Sequence, residues 1–541
     1  MPPKRKVGVR KAPVNKRRKV DADSDDDEDE TGPREIGAPT KDDVNNHIVT
    51  ATPTTSSQAT RTTLPTGYCQ PLSSLAIRVA ANAAELLLEP GNETRTKALL
   101  SKLPDHLVPR VFAQLRALHA SKLPHSLIVT HFLRGDEIVL TGQLDQVTST
   151  TISAIARLAT VNGLRSLELS GLPQKVLTDD AAAKLIERLP SLEKLVLRES
   201  KAIASLAITA AANHCPNLRH VNISYTQPST DAVALLVASC PHIEVLKVAG
   251  IPHLSKTGLK PVLLRVKEAA LGDGDFSRNL TNLKLRSLNI TTDSNYRALL
   301  SFFPNLRRLD LSHTNIHFTN VLLGDVVPPL EKLSINHTPT TGSELSQVLP
   351  RLNRIRTLNI GALGLGKSVA VMQTKTMFSL TPQVLREITD VLADFPDLEN
   401  VSIAASPRVA SRDGGEISAL QDFIARVGRR CKFLDLSNIP DLKSPDLATL
   451  VSDNDMPPPA LEHLLLSGCS RIDDDVGTFI AACINLRVLH LDSTSVRTEG
   501  IFQIIDRCER LESVDLTACR GVRLQDRRRI FEAWQEARRH Q

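Results

Sequence analysis

The sequence predicts an α/β solenoid: a curved stack of strand–helix units with a parallel sheet on its inner face and helices on its outer face. Three observations carry that prediction. Apolar residues recur as L-x-x-L-x-L in thirteen units, most of which start 24 to 28 residues apart. The last two apolar positions of a unit, spaced by two, face one side of a short strand, while stretches such as DDAAAKLIERLP have helical spacing and return the chain to the next strand. Aromatic residues make up only 3% of the chain, so the core must be many thin leucine layers rather than one block packed on large rings.

Residues 1–70 stand apart. Lys4, Arg5, Lys6, Arg10, Lys11, Lys16, Arg17, Arg18 and Lys19 precede an acidic block, residues 21–30, that holds eight Asp and Glu. Such a segment repels itself and has little to bury, which predicts a disordered charged tail. Lys4 and Arg5, a ten-residue spacer, then Lys16, Arg17, Arg18 and Lys19 have the spacing of a bipartite nuclear-import signal, two cationic clusters for two acidic pockets of an import carrier. Ser24, followed by Asp25 to Glu28 within a run of six acids, has the form of an acidophilic-kinase site. Residues 50–66, rich in Thr, Ser and Pro, read as linker. The tail nearly cancels its own charge, so the formal net charge of +6 says little about nucleic acid. A signal peptide and a membrane span are both missing from the pattern, which predicts a soluble chain inside the cell with no membrane partner.

Residues 71–135 are expected to form a helical cap. PLSSLAIRVAANAAELLL and KLPDHLVPRVFAQLRAL are apolar at helical spacing and suit the exposed end of a first repeat. The array, 136–522, then runs LRSLEL at Leu164, LEKLVL at Leu192, LRHVNI at Leu218, IEVLKV at Ile243, LRSLNI at Leu285, LRRLDL at Leu306 and LEKLSI at Leu330. It continues with IRTLNI at Ile355, LENVSI at Leu398, CKFLDL at Cys431, LEHLLL at Leu461, LRVLHL at Leu486 and LESVDL at Leu511. The period lies in the range of leucine-rich repeats, so the predicted fold is a leucine-rich-repeat horseshoe. Insertions are expected at 265–282, 361–380, 404–418 and 452–460. In 523–541, Ile530, Phe531 and Trp534 form one stripe of a C-terminal capping helix that should pack near Val514 and Leu516.

Two rows of side chains follow from the alignment. The residue after each unit's first apolar position alternates in sign along the array, except at Arg286 and Arg307, and predicts a ladder of surface ion pairs. The residue between the last two apolar positions faces the concave surface. There Glu168, Asn222, Lys247, Asn289, Asp310, Asn359, Asp435, His490 and Asp515 form a mixed polar face without the basic, aromatic-interleaved stripe that nucleic acid favours.

One motif points elsewhere. GALGLGKS, 361–368, satisfies G-x-x-x-x-G-K-[ST], which cradles phosphate only between a strand and a helix N-terminus. Its strand is already the eighth unit of the array, and β-branched residues follow Ser368, so an inserted loop is expected rather than a nucleotide site. The cysteines form neither C-x-x-C pairs nor zinc-spaced clusters. No catalytic residues, metal or cofactor are expected.

The cysteines carry a resemblance. Cys215, Cys240, Cys483 and Cys508 end helical stretches, Cys431 opens a unit, and Cys469 and Cys519 follow strands by three residues. LEHLLLSGCSRIDDDVGTFIAAC and LESVDLTACRGV resemble the cysteine-containing leucine-rich repeats of F-box-type substrate receptors. LPDHLVPRVFAQL, with Leu103, Pro104, Leu107 and Phe112, looks like the first helix of an F-box, without its downstream tryptophan and with Pro109 inside. PLSSLAIRVA, with Leu72, Leu75 and Ala76, resembles the elongin-binding helix of cullin substrate receptors, Ala76 standing where those carry Cys. The order of charged tail, helices and repeats is similar to the fungal repeat protein of global-genome excision repair, minus that family's cysteine pairs. The resemblance implies a nuclear protein-binding scaffold, a substrate-recognition adaptor of a cullin-type ubiquitin ligase that docks a skp-like or elongin-like subunit. The alternative it implies is a repair or chromatin scaffold.

Overall fold

The computed structural model describes residues 60–62, 71–84, 91–269, 279–288, 300, 303–317, 327–364, 379–411, 417–451 and 457–539. Fifteen strands form one sheet. They are β1 (Thr60–Thr62), β2 (Glu137–Thr141), β3 (Ser166–Ser170), β4 (Lys194–Val196), β5 (His220–Asn222), β6 (Val245–Lys247), β7 (Asn282–Lys284) and β8 (Arg308–Asp310). The rest are β9 (Lys332–Ser334), β10 (Thr357–Asn359), β11 (Asn400–Ser402), β12 (Phe433–Asp435), β13 (His463–Leu465), β14 (Val488–His490) and β15 (Ser513–Asp515). From β2 to β15 the strands are parallel and in sequence order, and helices return the chain on the other side.

From β4 on, each repeat strand is three residues long, and its central leucine or valine points into the core. Leu195, Leu283, Leu333, Leu434 and Leu489 are all at most 3% exposed, while their strand neighbours are mostly half-exposed. No unit could cover these side chains alone, and stacking makes one continuous core. Two residues past each strand's flanking apolar residue the chain turns through the left-handed region. Glu199, Tyr225, Gly250, Ser287, His313, His337, Ala362, Ala405, Asn438, Gly468, Ser493 and Ala518 all have φ between 51° and 74°. This turn recurs at the same point of each of these units.

That turn corrects one sequence frame. LTNLKLRSLNI contains two overlapping L-x-x-L-x-L patterns, starting at Leu280 and at Leu285. The structure uses the first: β7 is Asn282–Lys284 and Ser287 takes the left-handed turn at φ 59°. The 26 residues from Leu280 to Leu306 match the usual 24 to 28 of the array, against 21 from Leu285, and β7 in this frame pairs β6 on one side and β8 on the other. Lys284, rather than Asn289, is therefore this unit's concave residue, and Asn289 lies outside the described residues.

At the N-terminal end, α1 (Leu72–Asn82), α2 (Glu93–Ser101) and α3 (Val108–His119) form a cap beside β2. Pro109 falls in the first turn of α3, where its missing N–H breaks no intrahelical bond, so it is compatible with the helix. Val108, Val111, Phe112 and Leu115 are buried, Phe112 stacks on Phe132 at 4.8 Å, and Arg116 lies 5.2 Å from the Phe112 ring centroid. Arg116 also donates to the Val139 carbonyl of β2 at 3.2 Å, which fastens cap to sheet. Arg134 secures α2 by donating to the carbonyls of Leu100 (3.0 Å) and Leu103 (2.6 Å).

The opposite end has two covers. The helix Leu524–Arg539 buries Ile530, Phe531 and Trp534 against the final unit, where Val514 and Leu516 are also buried. The open edge of β15 is paired by β1, antiparallel, with Arg61 opposite Val514. Part of the segment that reads as linker is thus a strand, since an uncapped β15 would present a row of unpaired N–H and C=O groups.

Candidate functional site

The concave face carries two outward columns per strand, one on each side of the central buried residue. The column anticipated from sequence is largely occupied by turn anchors. The Asn222, Asp310, Asp435 and Asp515 side chains each accept the backbone N–H two residues on, from Ser224 (3.2 Å), Ser312 (2.9 Å), Ser437 (2.9 Å) and Thr517 (2.8 Å). Short carboxylates and amides suit this position because they cap the turn that follows. Glu168 accepts from Ser170 Oγ at 3.1 Å and stands in the field of the cap's Arg116, whereas Asn359 donates to Ser334 Oγ at 2.9 Å. Asp435 also accepts from Ser402 Oγ at 2.8 Å. His490 sits in this column on β14 and is half-exposed.

Lys247 and Lys284 do not fit that pattern, and the other column explains them. Across β4 to β9 the outward residues include Lys194, Lys247, Lys284, Arg308 and Lys332, all half-exposed, and one carboxylate, Asp310. In register, Lys247 lies beside Lys284, and Arg308 beside Lys332. Asp310 lies 3.8 Å from Lys284. The imidazole of His220 among them is pushed below its ordinary value, chiefly by burial; Glu244 opposes the shift, and Lys194, Lys247 and Arg219 add to it. On the turn side of the same strands, His313 and His337 stack at 4.3 Å. Reading one position per strand hid this cationic field; the sequence does contain a basic patch. From β10 to β15 the outward strand residues include no Lys or Arg, while Asp435 and Asp515 remain and Asp492 lies just beyond β14.

The sign-alternating row is a backbone-defined line. Each of its residues donates its N–H to the carbonyl of the one before, as in Arg165 to Asp136 (2.9 Å), Thr281 to Glu244 (2.9 Å) and Arg307 to Thr281 (2.8 Å). With Thr281 in place of Arg286, the alternation runs from Asp136 to Glu512 around one neutral residue. Arg219–Glu244 (2.5 Å), Arg307–Glu331 (3.2 Å), Lys432–Glu399 (3.0 Å) and Arg487–Glu512 (2.9 Å) are closed ion pairs along it.

GALGLGKS begins as an ordinary repeat turn. The Gly361 N–H donates to Asn336 Oδ1 (2.7 Å), Ala362 N–H to Ser406 Oγ (3.2 Å) and Gly364 N–H to the Thr338 carbonyl (2.8 Å), so these amides are committed to neighbouring units. Ser379 N–H donates to the Leu363 carbonyl at 2.9 Å, closing the base of the insertion. Lys367 and Ser368 lie outside the described residues, and among the described residues the next helix is Pro382–Ala393. Among the described residues no group of three or more His, Cys, Asp or Glu could hold a metal ion.

Seven cysteines are free and buried. Several donate to a carbonyl of the preceding unit: Cys215 to Leu189 (3.3 Å), Cys469 to Leu436 (3.2 Å) and Cys519 to Leu491 (2.9 Å). Burial pushes the thiols of Cys215, Cys240, Cys431 and Cys508 up to about 12, far from thiolate chemistry at neutral pH. They are inter-repeat donors.

The predicted docking residues separate into two groups. Phe112 is core, Leu103 and Leu107 are half-buried, and Pro104 is exposed. On α1, Ile77 and Ala81 face inward, whereas Leu72 (81% exposed), Ala76 and Val79 (66%) project outward with half-buried Leu75 beside them. Val79 was missed in the sequence, although its spacing of seven from Leu72 could have revealed it. Among the described residues, no helix is long and apolar enough to cross a membrane.

No protein-family profile matches the chain. Over 169 residues, 30% of its length, it is 30% identical to the antagonist of mitotic exit network protein 1 of Eremothecium gossypii, and the match spans 40% of that relative. Among solved structures it is similar to a chain of the yeast Rad7 and Elc1 complex, at 16% identity and TM-score 0.48, covering 80% of this chain and 96% of that one. It is also similar to an internalin, InlF, of Listeria monocytogenes, at 14% identity and TM-score 0.38, covering 77% and 92%.

Proposed function

We propose that this chain is a nuclear, non-catalytic binding scaffold that serves as a substrate-recognition adaptor of a cullin-type ubiquitin ligase. Helix α1 docks an elongin-like subunit, and the concave sheet receives the recognised protein. The observation that carries the reading is the stripe Leu72, Leu75, Ala76 and Val79, at i, i+3, i+4 and i+7 on a helix whose other face is already buried on the cap. An apolar stripe outside a finished cap adds nothing to folding and suits a partner groove. Docking through α3, as in an F-box, is disfavoured, because Val111, Phe112 and Leu115 are core. Import through Lys4, Arg5, Lys16, Arg17, Arg18 and Lys19 belongs to the same proposal; these residues lie outside the described ones.

The test is co-purification with an elongin-like small subunit and, separately, a skp-like one. The double substitution Leu72→Asp and Val79→Asp should abolish elongin-like capture while leaving the melting temperature within a degree or so, because both side chains are exposed. Unchanged capture, or capture of the skp-like subunit alone, would overturn the assignment.

A further inference from the structure

The cationic half of the concave sheet gathers charges of one sign. Like charges side by side on adjacent strands are unfavourable, yet Lys247 abuts Lys284 and Arg308 abuts Lys332. A polyanion laid along β4 to β9 would turn both repulsions into attractions. The same chain contains one: residues 21–30 hold eight carboxylates in ten positions.

We infer that the acidic block of this chain's own N-terminal tail occupies the basic concave patch of Lys194, Lys247, Lys284, Arg308 and Lys332. The tail thus covers the partner-binding face in cis. Three observations support this occupant over any other. The first is charge complementarity, five cations and one carboxylate, Asp310, against eight anions. The second is reach. The tail joins the sheet at Thr60, on β1 beside β15. At about 4.8 Å per strand, β9 lies roughly 35 Å and β4 roughly 60 Å along the sheet from there. Thirty residues separate Glu30 from Thr60, enough for roughly 100 Å of extended chain. The third is direction. The strands nearest the tethering point, β10 to β15, show Asp435 and Asp515 and no outward Lys or Arg, so an acidic segment is repelled there and settles on β4 to β9. Phosphate on Ser24, inside the block, would strengthen the contact. The inference does not depend on α1 docking a ligase subunit.

The experiment uses the full-length protein and a variant with the eight acids of 21–30 changed to Asn or Gln. That variant leaves every residue of the solenoid untouched, so folding is not at stake. Zero-length carbodiimide coupling, mapped by mass spectrometry on mixed light and heavy protein, should join residues 21–30 to Lys247, Lys284 or Lys332 within one molecule. These links should vanish in about 0.5 M salt. A fluorescent peptide of residues 20–31 should bind the neutralised-tail variant about tenfold or more tighter than the unmodified protein, in which the tail competes at high local concentration. Lys284→Gln with Lys332→Gln should cancel that gain. Equal peptide affinity for both proteins, or links found only between light and heavy copies, would overturn the inference. So would a single-stranded oligonucleotide that binds both proteins equally while the peptide binds neither, since the patch would then be a nucleic-acid site.

Discussion

The concave sheet divides between β9 and β10. On β4 to β9 the outward residues include five cations and one carboxylate, and like charges sit side by side. On β10 to β15 no outward cation remains, and the carboxylates are bonded into turns or to a neighbouring serine, as Asp435 is to Ser402. Beneath both surfaces lies the same leucine layer, and along the strand starts runs the same alternating ladder. The difference is therefore confined to side chains outside that leucine layer. A repeat fold fixes one residue of each three-residue strand and leaves two free, and here the free ones have been given opposite characters in the two halves.

If the halves differ only in surface, equivalent core substitutions should cost the same. Leu283→Ala in β7 and Leu434→Ala in β12 both remove a buried central leucine, and each should cost about 2 to 5 kcal/mol. Denaturant unfolding followed by hydrogen exchange would measure both. A loss confined to one of the two would show that the basic half is also mechanically distinct, which would break the comparison.

Much of this was legible beforehand because the repeat is an apolar pattern, and apolar spacing survives in sequence. The units, the buried thiols and the stripe of Ile530, Phe531 and Trp534 all belong to that class. What was not legible depends on neighbours distant in sequence. The choice between Leu280 and Leu285 is invisible locally, because both satisfy L-x-x-L-x-L, and it shows only in how β7 pairs with β6 and β8. β1 has no apolar signature at all, and its partner Val514 lies at the other end of the chain. The cationic patch was hidden because Lys194, Arg308 and Lys332 occupy the column that the alignment did not follow.

A smaller effect concerns pH. His220 and His337, both in the basic half, have imidazoles pushed below the ordinary value, chiefly by burial, with Arg286 adding to the effect on His337. Each therefore binds a proton more readily unfolded than folded. Their effect on stability is absent above about 6.5 and becomes unfavourable as pH falls through that value toward the folded one. Thermal melts between about pH 7.5 and 5.5 should show this loss, and His220→Gln should reduce it. Hydrogen exchange should place the first opening at β5 to β9. Opening that starts at β12 to β15 would mean that the charge asymmetry has no bearing on acid sensitivity.

The smallest effect tests what the two halves share. In the ladder, Arg487 lies 2.9 Å from Glu512 and 3.6 Å from Glu462, and all three side chains are partly in water. Exposed pairs of this kind contribute about 0 to 1 kcal/mol, reduced by salt. Arg487→Glu would set three carboxylates in a row and should lower stability by no more than about 1 kcal/mol, an effect that shrinks in high salt. Thr281 is the ladder's neutral step, with Glu244 on one side and Arg307 on the other. Thr281→Glu would add one repulsion and one attraction of similar size and remove the bond that the Thr281 hydroxyl donates to the Glu244 carbonyl (3.1 Å), so the expected change is no more than about 1 kcal/mol. The pair of measurements also checks the β7 frame. If Thr281 is not in the ladder, its substitution loses this balance, and a destabilisation beyond about 1 kcal/mol that high salt does not relieve would count against the frame at Leu280.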